Sequence, residues 1–148
     1  MMLGLLIAMA LSPISFAQSQ INTEILSQPP GYLARIQQNS PEEVEQALLR
    51  AEKLYVEGEL PEDLPPVAFV LHGPEVEIFF RGKYKQYKSI VDLAARLSAF
   101  GVIDVSVCRT RMGVLGQDPA VLYPFVSTVP FGPAEVERVL GQEKYVYF

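Results

Sequence analysis

Val67-Ala68-Phe69-Val70-Leu71-His72-Gly73-Pro74 is the stretch on which the fold turns. Five apolar residues in a row, with no polar alternation, predict a strand covered on both faces, as in a parallel sheet. His72-Gly73-Pro74 ends it. Upstream, residues 58–66 (GELPEDLPP) are acidic and carry three prolines, which predicts a loop. Before that loop, Val44, Leu48, Ala51 and Tyr55 fall at spacings of four, three and four residues, one apolar stripe of a helix. Ser40-Pro41-Glu42-Glu43 opens that helix: Ser40 caps, Pro41 suits the first helical position and Glu43 completes a capping box. Residues 32–37 (YLARIQ) are a short strand candidate with Tyr32, Ala34 and Ile36 on one face.

Downstream, residues 75–80 (EVEIFF) fit either a short strand or an irregular turn. Ile90, Leu93, Ala94 and Leu97 then mark one face of a helix over residues 85–100, stopped by Gly101. Residues 102–108 alternate: Ile103, Val105 and Val107 point one way, Asp104, Ser106 and Cys108 the other. Gly113, Gly116 and Pro119 break up residues 109–124. Residues 125–129 form a fourth strand, Gly132-Pro133 opens a short helix with Val136, Val139 and Leu140, and residues 145–148 form a last strand. Strands alternating with helices predict a single α/β domain with a mainly parallel, five-stranded sheet and helices on both faces. The aromatic final strand needs cover, from the domain or from another subunit, to avoid pairing with foreign strands.

The chain has 148 residues, 49% hydrophobic and 20% charged, enough for one core and too few for two comfortable domains. A formal net charge of −5 repels phosphate backbones, so nucleic acid is excluded as a partner. The cations Arg81, Lys83, Lys85 and Lys88 read as a solvated surface. Residues 1–10 (MMLGLLIAMA) are apolar, too short to span a bilayer, and followed by Ser15-Phe16-Ala17. This predicts a signal peptide over 1–17, cleaved between Ala17 and Gln18, although no Lys or Arg precedes the apolar run. A retained anchor or an apolar strand are the other readings. The expectation is therefore a periplasmic or secreted protein without a stable membrane anchor, a polar linker over 18–30 and a domain over 31–148.

With one His and one Cys the chain lacks ligands for a zinc site of the usual type. No glycine-rich phosphate loop, dinucleotide fingerprint or Gly-x-Ser-x-Gly elbow is present, so no cofactor or metal is expected. Two strand ends remain, because ligands of parallel sheets gather beyond the carboxyl ends of strands. One carries His72 and Gly73, the other Cys108-Arg109-Thr110-Arg111. If the strands are neighbours, both open on one rim. Arg109 and Arg111 would add positive charge beside the sulfur, and cations favour the nucleophilic thiolate, which can hold sulfur as a persulfide. Equally, a free cysteine packs well as a small buried hydrophobe. His72 and Gly73 are, with Arg109 and Arg111, candidates for binding or tuning at that rim, which could also hold a small molecule without covalent chemistry. Otherwise His72 reads as a structural histidine capping a carbonyl, and Gly73 as serving backbone conformation.

The strand ending in His72-Gly73-Pro74, the helix ending at Gly101 and the strand ending in Cys108 resemble the DsrE/DsrF-like family (DsrE/TusD/YchN type). So does Val126-Ser127-Thr128-Val129-Pro130-Phe131-Gly132 with the short helix and Tyr145-Val146-Tyr147 after it. The resemblance covers roughly residues 31–148. It implies a compact α/β domain assembling into trimers or hexamers. In the sulfur-oxidation and tRNA-thiolation members, a cysteine after a central strand carries sulfur as a persulfide. Cys108 matches that position, which implies at most a sulfurtransferase or sulfur-relay carrier, with protein sulfur donors and acceptors as partners. Many simple members have Cys-x-Asn-Thr here; this chain has Cys108-Arg109-Thr110-Arg111, which implies a differently lined pocket. The alternative is a non-catalytic oligomeric binding module in which Cys108 is structural.

Overall fold

The computed structural model describes residues 28–148. The expected signal peptide and most of the expected linker lie outside the described residues. Five strands, β1 (Tyr32–Leu33), β2 (Val67–Leu71), β3 (Ile103–Cys108), β4 (Val126–Val129) and β5 (Val146–Tyr147), form one sheet in the order β4-β3-β2-β1-β5. Every pairing in it is parallel. The helices are α1 (Pro41–Val56), α2 (Tyr84–Ala99), α3 (Arg109–Val114) and α4 (Gly132–Gly141). The expected single-domain α/β architecture is what the chain adopts.

Topology places the helices. The connections β1-α1-β2, β2-α2-β3 and β3-α3-β4 all step the same way across the sheet, and right-handed crossovers put such helices on one face. There α1, α2 and Met112 of α3 bury the main core against Phe69, Leu71, Val105 and Val107. The return from β4 to β5 runs backwards across the sheet, so α4 lies on the opposite face, where Val139 packs against Leu33 and Val70. Arg138 clamps α4 to its own C-terminal turn through hydrogen bonds to Glu135 and Glu143. The guanidinium holds the Glu135 carboxyl below the usual carboxylate range.

Several local expectations change. Ser40 caps α1, accepting the Glu43 N–H at 3.2 Å, but Glu43 does not close a capping box on Ser40. Asn39 has a left-handed backbone (φ 51°) that turns residues 37–39 across the helix start. The Glu43 carboxylate therefore accepts the N–H groups of Gln37 and Gln38 at 2.7 Å and of Asn39 at 3.2 Å. β1 spans two residues rather than six: the chain leaves the sheet after the Ala34 N–H reaches the Ala68 carbonyl at 2.8 Å, and from Gln37 onward the N–H groups go to Glu43. Residues 75–80 are neither strand nor irregular. Pro74–Phe79 is a 3-10 helix that starts on the proline and buries Glu75, Val76, Ile78 and Phe79. A helix also forms at Arg109–Val114 despite Gly113, held by its N-cap and ended before Gly116.

Candidate functional site

Alternation and the parallel register bring the two strand ends together. Leu71 pairs with Val107 as the last matched position of β2 and β3. The next residues, His72 and Cys108, stand side by side at the carboxyl rim. Gly132, the first residue of α4, closes over both: a Cβ there would lie 2.4 Å from the His72 Cβ and 3.2 Å from the Cys108 Cβ. The β3 connection leaves towards the α1/α2 face and the β4 connection towards the α4 face. Cys108 thus sits at the switch point of the sheet, where open α/β folds form their crevice.

The sulfur is the N-cap of α3. Cys108 Sγ accepts the Arg111 backbone N–H at 3.4 Å, so what Arg111 gives the sulfur is a peptide dipole. Arg109 is exposed, and its guanidinium makes no hydrogen bond or ion pair among the described residues. The buried Arg111 Nε has no partner there either. Neither guanidinium is engaged with the thiol as the sequence suggested. Thr110 ties α3 to the turn after β4, donating its hydroxyl to the Pro130 carbonyl at 2.8 Å. This turn and α4 cover the rim, and Cys108 is 2% exposed. The sequence left open whether this thiol lies open at the rim or packs as a small hydrophobe; in the structure it is covered.

His72 and Gly73 owe their placement to a residue that sequence reasoning passed over. Glu75 Oε1 accepts the N–H of His72 at 2.9 Å and of Gly73 at 3.0 Å. The backbone of Gly73 is extended (φ −105°, ψ −159°), open to any residue, so its role is room rather than conformational freedom. A Cβ there would lie 2.5 Å from Glu75 Oε2 and 2.6 Å from Asn39 Cβ. The His72 imidazole makes no protein hydrogen bond among the described residues, so the expected carbonyl cap is absent; its backbone N–H is the bonded group. Glu75 Oε2 and Asn39 Oδ1 are buried without partners among the described residues. Among those residues, too, no three His, Cys, Asp or Glu side chains gather as a metal site.

No family model matches the chain, and no curated protein matches it. Among solved structures it is similar to MTH1491 from Methanobacterium thermoautotrophicum, described as a protein of unknown function. The match has 18% identity, covers 79% of this chain and 93% of that one, and reaches a TM-score of 0.54. At that identity it establishes a shared compact α/β fold.

Proposed function

We propose that the chain is a DsrE-like sulfur carrier acting through Cys108. The observation that carries the reading is the position of its sole thiol. Cys108 ends a central strand at the sheet's switch point and caps the next helix, with its sulfur against a backbone N–H and His72 alongside. The order of motifs over residues 31–148, described above, supplies the family. In the transfer, the Cys108 thiolate attacks the outer, sulfane sulfur of a donor persulfide. The new S–S bond forms as the donor's S–S bond breaks, the donor leaves as a thiolate, and no external oxidant is needed. Loading requires the turn after β4 to open, a local event of the kind surface turns undergo. The same reading takes residues 1–17 as a leader, the mature chain as periplasmic or secreted, its assembly as a homo-trimer or hexamer, and its partners as sulfur donor and acceptor proteins.

A second reading, favoured by the 2% exposure of Cys108, makes the cysteine a structural cap in a non-catalytic oligomeric binding module. One experiment separates them. The intact mass of the chain, expressed with its own N-terminus, is measured before and after exposure to a sulfane-sulfur donor, beside Cys108→Ser. A reducible gain of about one sulfur atom on the wild type alone supports the carrier. No gain, with a thiol reagent reacting only after denaturation, overturns it in favour of the binding module. Native mass spectrometry of the same samples reads the subunit number and the first residue of the mature chain.

A further inference from the structure

At the opposite end of the strands lies a cavity of about 270 Å³, and its chemistry points to a different ligand. Tyr32, Tyr55 and Phe100 contribute aromatic walls, Leu60 and Pro61 an apolar floor, and Glu62 a carboxylate. The Tyr55 and Phe100 rings stack at 6.2 Å with 22° between their planes, although Tyr55 is 46% and Phe100 63% exposed. Two large rings paired at the surface form a preset wall rather than part of the core.

Four electrostatic features of this cavity share one sign. Aromatic faces are electron-rich and attract cations. Tyr55 lies in the last turn of α1 and Phe100 is the C-cap of α2, so two helices direct their negative ends here. Both end on left-handed glycines, Gly58 (φ 69°) and Gly101 (φ 70°), which stop the two helices at the cavity. The bordering loop holds Glu57, Glu59, Glu62 and Asp63. Among the described residues no Lys, Arg or His lines the cavity, and Lys53 in the last turn of α1 already faces Glu57 at 4.0 Å.

We infer that this cavity binds a small organic cation of the alkylammonium class. The charge is held by Glu62 and the helix ends, and the alkyl groups lie against Tyr55 and Phe100. The volume falls just below the range of roughly 300–1,000 Å³ usual for drug-sized ligands, which suits a compact head group. The site is independent of the thiol.

The test is a calorimetric or NMR titration of the full chain with choline and with its uncharged carbon analogue, in which tert-butyl replaces trimethylammonium. Choline binding should be saturable and the analogue's about tenfold weaker, since their difference is the cation–π and charge contribution. Phe100→Ala, at a mostly exposed ring whose loss leaves the core intact, should weaken choline by roughly tenfold. Glu62→Gln should weaken choline and leave the analogue unchanged, while Cys108→Ser should alter neither. Equal binding of the two compounds, no saturable response, or choline binding indifferent to Phe100→Ala would each overturn the inference.

Discussion

Glu75 is fully buried with a carboxylate in contact with the main chain rather than with a cation. Its Oε1 gathers the N–H groups of His72 and Gly73 just where β2 stops, so it shapes the turn that sets His72 beside Cys108. Glu75→Ala strips the acceptor from two covered donors, each costing about 1–3 kcal/mol when left unpaired. The variant should lose about 3 kcal/mol in a denaturant-unfolding series, with the slope of the transition unchanged. Glu75→Gln keeps an oxygen acceptor for both N–H groups, so it should fall within about 1 kcal/mol of the wild type. A Gln variant as damaged as the Ala variant would mean that the negative charge, not the hydrogen bonds, holds the turn. Little of this was legible. Cys108 and His72 were found because strand ends can be read from apolar runs. Glu75 hides because its partners are backbone groups, which every residue carries, and Gly132 because its neighbours are 24 and 60 positions away in sequence.

At the scale of elements, the apolar patterns worked where one face of a helix or the whole of a strand is buried. β2 matches its five-residue run, and α1, α2 and α4 begin and end within a residue or two of their expected bounds, although Tyr55 of the α1 stripe is 46% exposed and Ala47 takes its place on the buried face. They failed where side chains capture the backbone. The start of α1 shows this most clearly: Ser40 satisfies one helix N–H, while Glu43 gathers three from the incoming chain. Ser40→Ala should cost about 1 kcal/mol, the usual worth of an N-cap. Glu43→Ala should cost more, about 2 kcal/mol, because charge-assisted bonds are the stronger kind and water replaces them only in part. Thermal unfolding of the two single variants and the double variant would check the order. If the Ser40 change were the costlier, the turn over residues 37–39 would hold without Glu43. The 3-10 helix at Pro74–Phe79 escaped for a different reason: it is only six residues long, and one of its buried positions is Glu75, an acid that no apolar pattern marks.

For the whole molecule, alternation of strands and helices predicted a parallel sheet but not its order, since pattern says nothing about which strands are neighbours. The reversal that carries α4 to the far face and β5 to the far edge is a tertiary fact, and it creates both the switch point at Cys108 and an edge at the C-terminus. That edge is covered only in part. Val146 and Tyr147 remain 42% and 44% exposed, with Arg35 over the Tyr147 ring at 5.5 Å, while Phe148 turns inward. Its ring meets Tyr32 and Phe69 edge-on, each at 6.4 Å, and lies under the Arg50 guanidinium at 4.9 Å. The last three residues therefore seal the far end of the sheet and join β1, at one end of the described chain, to β5 at the other. Deleting residues 146–148 would leave β1 as the edge and expose the Tyr32 and Phe69 faces. The loss should be about 2–4 kcal/mol, near the range for removing a packed aromatic, with faster aggregation as an unblunted edge becomes available. Phe148→Ala separates the two effects: it should account for most of the lost stability but leave the edge paired and the aggregation rate unchanged. Light scattering during dilution from denaturant, beside the unfolding midpoint, measures both. A Phe148→Ala chain that aggregates as fast as the deletion would place the protection in the ring rather than in the strand.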